Sequence, residues 1–125
     1  MDVNIRTPFI LTQFFQDFLK KSSGCVVNVS CDKGSRPEPG MLGYCMTKAG
    51  LDMFTKSAAM ELAPFGIRVN AVAPGLTDTN LYRYAGISEL EYTSMKTRAV
   101  KNIPLHKFAK DFEIAKAIIY LTGEK

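Results

Sequence analysis

The sequence predicts an α/β fold in which a long helix connects two parallel strands. Two runs rich in β-branched and small apolar residues, at 25–30 and 67–73, have the composition of strands that are buried on both faces. Between them, residues 42–63 carry apolar side chains at helical spacing. A strand, a helix and a second strand in this order form a right-handed crossover with parallel strands. Because parallel sheets need more than two strands, we expect these elements to be part of a larger parallel sheet.

The flanking segments predict two further helices. Residues 8–21 spread their apolar side chains over an unusually wide sector, and these are Phe9, Ile10, Leu11, Phe14, Phe15, Phe18 and Leu19. We therefore expect part of this helix to face a partner subunit. A last amphipathic helix is predicted at 110–121, and residues 76–108 form a connection long enough to act as a mobile binding segment or lid. The whole chain, residues 1–125, is interpreted as one partial domain.

The composition is typical of a soluble globular protein rather than of a nucleic-acid or membrane protein. Sixteen Lys and Arg against twelve Asp and Glu leave a formal charge of only +4, and the basic residues are scattered. We therefore expect no nucleic-acid partner. No apolar run approaches the ~20 residues that span a bilayer, and the first residues lack the pattern of a signal peptide. The expected location is the cytoplasm, without membrane contact.

The cysteines and the histidine predict neither disulfides nor a metal site. Cys25, Cys31 and Cys45 form no C-x-x-C pair, so free thiols in a reducing compartment are the simplest interpretation. His106 is the single histidine, and a zinc site needs more ligands of this kind.

The start of the long helix carries a pair of residues suited to proton transfer. Tyr44 and Lys48 are separated by one helical turn and share a face. A free phenol titrates near ~10, and a nearby ammonium lowers that pKa by favouring the phenolate. The pair is thus a candidate general acid/base with an electrostatic tuner. Taken alone, the same spacing more often belongs to an ordinary solvated helix face.

Other motifs surround this pair in a fixed order. They are Asp2-Val3-Asn4, Val27-Asn28-Val29-Ser30, Tyr44-x-x-x-Lys48 and a strand that ends at Pro74-Gly75. In this order and at these spacings, the chain resembles the catalytic, C-terminal half of the short-chain dehydrogenase/reductase family. The resemblance covers nearly the whole chain. It implies an NAD(P)-binding, Rossmann-like doubly wound parallel sheet, of which this chain would be an αβαβα fragment that lacks the first strands and the last strand.

The resemblance also implies an activity and roles for individual residues. The family transfers hydride between NAD or NADP and a small-molecule alcohol or carbonyl. By position, Tyr44 would be the general acid/base and Lys48 the ligand of the nicotinamide ribose that lowers the phenol pKa. Asn4 would kink its helix and anchor a water in the proton relay. Besides Tyr44 and Lys48, the residues expected to contact the cofactor are Pro74, Gly75, Leu76, Thr77 and Thr79. The helices at about 8–21 and 42–63 fall where the family forms its homo-oligomers.

The chain departs from the family pattern at the catalytic serine. Counting back from Tyr44, the position of that serine is occupied by Cys31, and Ser30 lies one residue too early. Successive residues of an extended segment point to opposite faces, so Ser30 needs a local bulge to replace Cys31. The sequence leaves open which of the two takes the catalytic position. A thiol is a weak hydrogen-bond donor, so we expect reduced polarisation of the substrate and reduced activity.

The second departure concerns the dinucleotide. The family holds the pyrophosphate in a glycine-rich turn after its first strand, and no such turn occurs in this sequence. The choice between NAD and NADP is therefore undetermined, and whether this chain is itself an active enzyme stays open. The alternative hypothesis is a truncated, non-catalytic remnant that only self-associates or binds partner chains through its long helices.

Overall fold

The architecture was taken from a computed structural model, which describes residues 1–123 apart from the side chain of Arg83. The helices, in chain order, are α1 (Thr7–Phe14), α2 (Gln16–Ser22), α3 (Leu42–Leu62), α4 (Leu81–Tyr84), α5 (Glu89–Val100) and α6 (Asp111–Thr122). The strands are β1 (Cys25–Val29), β2 (Arg68–Val72), β3 (Thr77–Asp78) and β4 (Ala109–Lys110). A π-helical turn at Asp2–Arg6 precedes α1, and 3-10 turns occupy Asp32–Gly34 and Ala63–Phe65.

The predicted crossover is confirmed. β1 and β2 are parallel neighbours, with Cys25 opposite Arg68 and Val29 opposite Val72, and α3 connects them. The pairing continues past the strands, because the Ser30 amide donates to the Val72 carbonyl at 2.8 Å. A second parallel pair, β3 with β4, was not expected from the sequence. Together these elements form a partial α/β unit of the predicted class.

The helix predicted at 8–21 is divided in two, which corrects that prediction. α1 and α2 meet at Phe15, whose φ of −91° and ψ of 1° leave the helical region. The rings of Phe14 and Phe15 lie 5.0 Å apart and perpendicular to each other at this break. The apolar periodicity runs through the break unchanged, so the sequence pattern did not reveal it.

The remaining boundaries differ from the predicted ones by one or two residues. β1 ends at Val29 and β2 spans Arg68–Val72, although 25–30 and 67–73 were expected. α3 ends at Leu62, and a 3-10 turn containing Pro64 then leads to Gly66, which takes a φ of 72°. A left-handed conformation of this kind favours glycine and stops the helix.

The core lies between α3 and the β1–β2 pair. Its buried members are Ala58, Leu62, Ile67 and Val69, and Leu19, Val26, Phe54 and Ala59 pack against them. One polar contact crosses the same interface, where the buried Asn28 amide donates to the Thr55 hydroxyl at 2.9 Å. Apolar packing and this hydrogen bond fix α3 on the sheet, and α3 carries the candidate catalytic pair in its first two turns.

Candidate active site

The site is built where the two parallel strands end and α3 begins. Lys48 is almost fully buried, with 8% of its surface exposed, and its ammonium Nζ donates to the Val29 carbonyl at 2.9 Å. This bond joins the second turn of α3 to the carboxyl end of β1. Burial lowers the pKa of Lys48, with the charges of Cys31 and Asp52 acting in the opposite direction. An ammonium has three N–H donors, and Val29 takes one of them.

The phenol of Tyr44 lies next to Lys48 but titrates differently from the sequence expectation. The Lys48 ammonium is 5.7 Å from the centre of the Tyr44 ring. Burial raises the pKa of Tyr44, and a hydrogen bond with Cys31 and the charge of Cys31 raise it further. In the molecule as described, the pKa of Tyr44 is therefore raised rather than lowered, and loss of water around the phenol is the largest cause. The lowering of this pKa by Lys48 remains a prediction from the sequence.

Ser30 and Cys31 occupy different surroundings at the end of β1. Ser30 is 4% exposed, and its buried hydroxyl has no hydrogen-bond partner among residues 1–123. Cys31 is half-buried, and its thiol donates to the Asp32 carboxylate at 3.3 Å. It is Cys31, and not Ser30, that interacts with the Tyr44 phenol. The structure thus brings together Cys31, Tyr44 and Lys48 from the predicted set.

Asn4 reaches the site indirectly. It lies in the π-helical turn at Asp2–Arg6, and its amide donates to the Thr47 hydroxyl at 3.1 Å. Thr47 in turn donates to the Tyr44 carbonyl at 2.8 Å. Thr47 is buried within α3 and was not singled out in the sequence, because a threonine inside a helical pattern looks like ordinary core. The chain of bonds connects Asn4 to the backbone of Tyr44 rather than to its phenol.

The segment expected to contact the cofactor follows β2 as an open loop. The Pro74 carbonyl accepts from the Asp32 amide at 3.0 Å, which holds the loop beside the end of β1. The Leu76 carbonyl accepts from the Ala109 amide at 3.0 Å, and the Thr77 hydroxyl donates to the Gly75 carbonyl at 3.0 Å. Thr79 accepts from the Leu81 amide at 3.3 Å. Space is open around the Gly75 α-carbon, with no atom within 4 Å of the position that a β-carbon would take.

The connection predicted at 76–108 as a lid contains β3, α4 and α5 and borders a cleft. The cleft has a volume of about 400 Å³ and is lined by Asp78, Thr79, Asn80, Tyr82, Tyr92 and Asp111. The ring centres of Tyr82 and Tyr92 lie 5.0 Å apart on its wall. Burial raises the pKa of Tyr82, and the charge of Cys31 adds to the increase. Asp78 escaped the sequence analysis because its partners lie far along the chain.

The groups present fit one part of a nicotinamide dinucleotide. The donor set at the strand ends comprises the Lys48 ammonium, the Tyr44 phenol and the buried Ser30 hydroxyl, next to the open backbone at Gly75. These groups suit a ribose with its hydroxyls and an adjoining carboxamide. A cradle for the pyrophosphate is not part of this set, since the sequence lacks the glycine-rich turn.

Neither a metal cluster nor a membrane span emerges from residues 1–123. They bring together no group of three or more His, Cys, Asp or Glu side chains that could hold a metal ion. Within the same residues, no helix is both long and apolar enough to cross a membrane.

Known proteins resemble the chain over its whole length. A family model described as enoyl-(acyl carrier protein) reductase matches residues 1–125. The chain is 38% identical over 125 residues to the 3-oxoacyl-(acyl-carrier-protein) reductase FabG of Aquifex aeolicus, covering 99% of this chain and 48% of that protein. It is 37% identical over 129 residues to an acetoacetyl-CoA reductase of Acinetobacter, again covering 99% and 48%. The chain thus spans about half the length of the relatives it matches.

Solved structures give the same picture. A short-chain dehydrogenase/reductase of unknown function from Caenorhabditis elegans, solved with cofactor, matches with a TM-score of 0.90 and 32% identity over 96% of this chain and 46% of that one. The 3-oxoacyl-(acyl-carrier protein) reductase of Brucella melitensis matches with a TM-score of 0.84 and 31% identity, covering 98% of this chain and 44% of that one. ElxO with NADP bound matches with a TM-score of 0.85 and 29% identity, covering 98% of this chain and 48% of that one.

The raised pKa of Tyr44 makes a prediction about Cys31. Replacing Cys31 by Ala removes both the hydrogen bond and the thiolate charge, so the phenolate of Tyr44 becomes easier to form. We expect the ionisation of Tyr44 to begin at a lower pH in Cys31→Ala than in the unmodified protein, although burial still raises the pKa in both. Tyrosine labelled with carbon-13 at Cζ reports this in an NMR titration, with Tyr44→Phe assigning the signal.

Cys45→Ala is the matched control, because Cys45 is also half-buried beside Tyr44 but does not contribute to its pKa shift. An identical Tyr44 titration in Cys31→Ala and Cys45→Ala contradicts the assignment of the shift to Cys31.

Proposed function

The chain belongs to the short-chain dehydrogenase/reductase family, and on that premise we propose that it carries the catalytic half of an NAD(P)-dependent oxidoreductase. NAD(P) is the cofactor of the family, as ElxO was solved with NADP and 4-hydroxyisoleucine dehydrogenase with NADH. The reaction is hydride transfer between an alcohol and a carbonyl. One observation carries the proposal: a buried lysine bonded to the end of β1 lies beneath a half-buried tyrosine one turn earlier in α3.

In this proposal Tyr44 is the general acid/base. When bound, the nicotinamide supplies or accepts the hydride. The Tyr44 phenol gives its proton to the carbonyl oxygen in reduction and takes the hydroxyl proton in oxidation. The phenol is protonated at neutral pH, as an ordinary tyrosine is, and the raised pKa of Tyr44 favours this form further; the protonated state suits the reductive direction. Lys48 would hold the ribose through N–H bonds that Val29 leaves available.

The other predicted residues would orient and enclose the reactants. Asn4 acts through Thr47 on the backbone of Tyr44 and thereby fixes the first turn of α3. Cys31 would turn its S–H from the Asp32 carboxylate, to which it donates in the free chain, towards the substrate oxygen. The nicotinamide would lie along the loop after β2, which consists of Pro74, Gly75, Leu76, Thr77 and Thr79. The substrate would enter the cleft that Thr79 and the two tyrosine rings line.

The names of the relatives give a first substrate to test. Two of them are reductases of a 3-oxoacyl group on acyl carrier protein and of acetoacetyl-CoA. We therefore propose a small-molecule carbonyl, with a 3-oxoacyl thioester as the first candidate. The cytoplasmic location and the absence of a nucleic-acid partner remain predictions from the sequence.

Replacing Tyr44 by Phe tests the proposed function. The change keeps the ring and removes the proton, so we expect kcat to fall by about a hundredfold or more, the usual contribution of a general acid/base. The measurement is NADPH oxidation with acetoacetyl-CoA by the native protein that carries these residues. Tyr120→Phe is the control, because Tyr120 is 85% exposed on α6 and lies outside the site. Equal activity of the two variants refutes the role of Tyr44.

The Cys31→Ser substitution tests whether the weak hydrogen-bond donor at Cys31 limits the reaction. A hydroxyl donates a stronger hydrogen bond than a thiol, and the loss of one such donor can cost about a hundredfold or more in rate, so we expect turnover to increase. Single-turnover measurements of Cys31→Ser and Ser30→Ala separate the two candidates for the serine position. If Ser30→Ala slows the reaction and Cys31→Ser does not speed it, Ser30 rather than Cys31 polarises the substrate.

Self-association through the helices is the second part of the proposal. α1, α2 and α3 expose large apolar side chains, among them Phe14 at 71%, Phe18 at 65% and Met60 at 79%. Exposed apolar area of this kind is a mark of protein interfaces. We propose a homo-oligomer that uses these faces. The competing function, association without catalysis, requires the same surface, but replacing Tyr44 would not affect it.

A charge in this surface should separate the subunits. We expect Phe18→Glu to shift the native mass in sedimentation velocity towards the monomer, because the carboxylate would be buried in an apolar contact. Leu90→Glu makes the same change at an 82% exposed position of α5 and is the control. If both variants keep the native mass, the helix face is not the interface.

A further inference from the structure

Asp78 is the centre of a three-way contact between distant parts of the chain. Its carboxylate Oδ1 accepts from the Tyr92 hydroxyl at 2.7 Å. Its Oδ2 accepts from the Lys96 ammonium at 2.7 Å and from the Lys110 ammonium at 2.9 Å. Tyr92 and Lys96 are separated by one turn of α5, whereas Lys110 lies in β4, the parallel neighbour of β3. A single side chain therefore joins three elements.

The surroundings distinguish this contact from an ordinary surface ion pair. Single exposed pairs contribute little, but one carboxylate with three donors forms a network in which each bond orients the others. The side chain of Asp78 is only 26% exposed. The Lys96 ammonium also lies over two aromatic rings, 5.6 Å from the ring centre of Tyr92 and 5.4 Å from that of the buried Phe108. The hydrogen bonds from Lys96, Lys110 and Tyr92 lower the pKa of Asp78, so it is ionised at neutral pH.

The contact bears directly on the cleft. Asp78 and Tyr92 both line it, and the Tyr92 ring packs on Tyr82. The Asp78 carboxylate is thus connected, through the hydroxyl and ring of Tyr92, to the Tyr82 ring on the wall of the cleft.

We propose that Asp78 is a positioning residue that holds α5 against β3 and β4 and thereby fixes the tyrosine wall of the cleft. Its effect on catalysis rests on the proposed function, because the wall matters to turnover only if the cleft takes the substrate. The family resemblance assigned roles to Thr77 and Thr79 on either side of Asp78 and none to Asp78 itself. The role follows from the contacts, since its partners lie 14, 18 and 32 positions away along the chain.

The first test needs neither substrate nor cofactor. Asp78→Asn is close in shape but leaves Lys96 and Lys110 without their countercharge. We expect the amides of Glu89–Val100 to exchange hydrogen about tenfold faster in the native protein, while those of α3 do not change. Asp2→Asn is the control, because it breaks an exposed ion pair with Arg6 far from the cleft. Equal exchange of α5 in the two variants overturns the proposal.

A second variant guards against misfolding. Tyr92→Phe keeps the ring and both ion pairs but removes one hydrogen bond, so we expect a smaller increase in exchange, confined to α5. An increase in Tyr92→Phe that spreads equally over all helices contradicts a local positioning role.

The third measurement separates positioning from general instability. With acetoacetyl-CoA and NADPH, we expect KM for the thioester to rise about tenfold in Asp78→Asn while kcat changes by less than about twofold, because a displaced wall weakens binding before it affects proton transfer. A fall in kcat at unchanged KM overturns the role of Asp78 in shaping the cleft. If the unmodified protein transfers no hydride, the proposed function fails, and hydrogen exchange alone still decides whether Asp78 holds α5.

Discussion

A buried ammonium must find acceptors or lose its charge, and Lys48 finds the Val29 carbonyl at 2.9 Å. The carbonyl belongs to the last residue of β1, so the bond forms where the helix crosses the end of the strand. The register of β1 with β2 and the packing of Ala58 and Leu62 on Ile67 set that crossing. The position of the tyrosine one turn earlier, and of Cys31 two residues past Val29, follows from the same bond. The parallel pair therefore specifies the site as well as the core.

The sequence predicted those parts of the molecule that depend on neighbours along the chain or on a repeated motif. The crossover, the long helix and the meeting of Tyr44, Lys48 and Cys31 follow from periodicity and from motif order, and the structure shows them together. The break at Phe15 was invisible, because an apolar pattern does not record a local change in φ and ψ. The Asp78 network was equally invisible, since a lone aspartate in a loop has no pattern that names its partners.

The pKa of Tyr44 could not be predicted from the sequence motif. The spacing of Tyr44 and Lys48 correctly places an ammonium near a phenol, and from the charge alone one expects a lowered phenol pKa. Spacing says nothing about desolvation, which depends on how deeply α3 packs on the sheet, nor about the thiol that follows β1. Burial raises the pKa of Tyr44 and lowers that of Lys48, so both shifts oppose an ionised pair. The deep packing of α3 on the sheet thus fixes the positions of Tyr44 and Lys48 and also disfavours the phenolate form of Tyr44.

This opposition bears on the direction of the proposed reaction. Reduction starts from a protonated phenol, which donates to the carbonyl oxygen, whereas oxidation starts from a base that must first give up its proton. In the molecule as described, the protonated phenol is favoured by burial and by Cys31 together. Cys31 therefore bears on both groups: its thiol polarises the carbonyl less than a hydroxyl would, and its hydrogen bond with the phenol favours the protonated form of Tyr44.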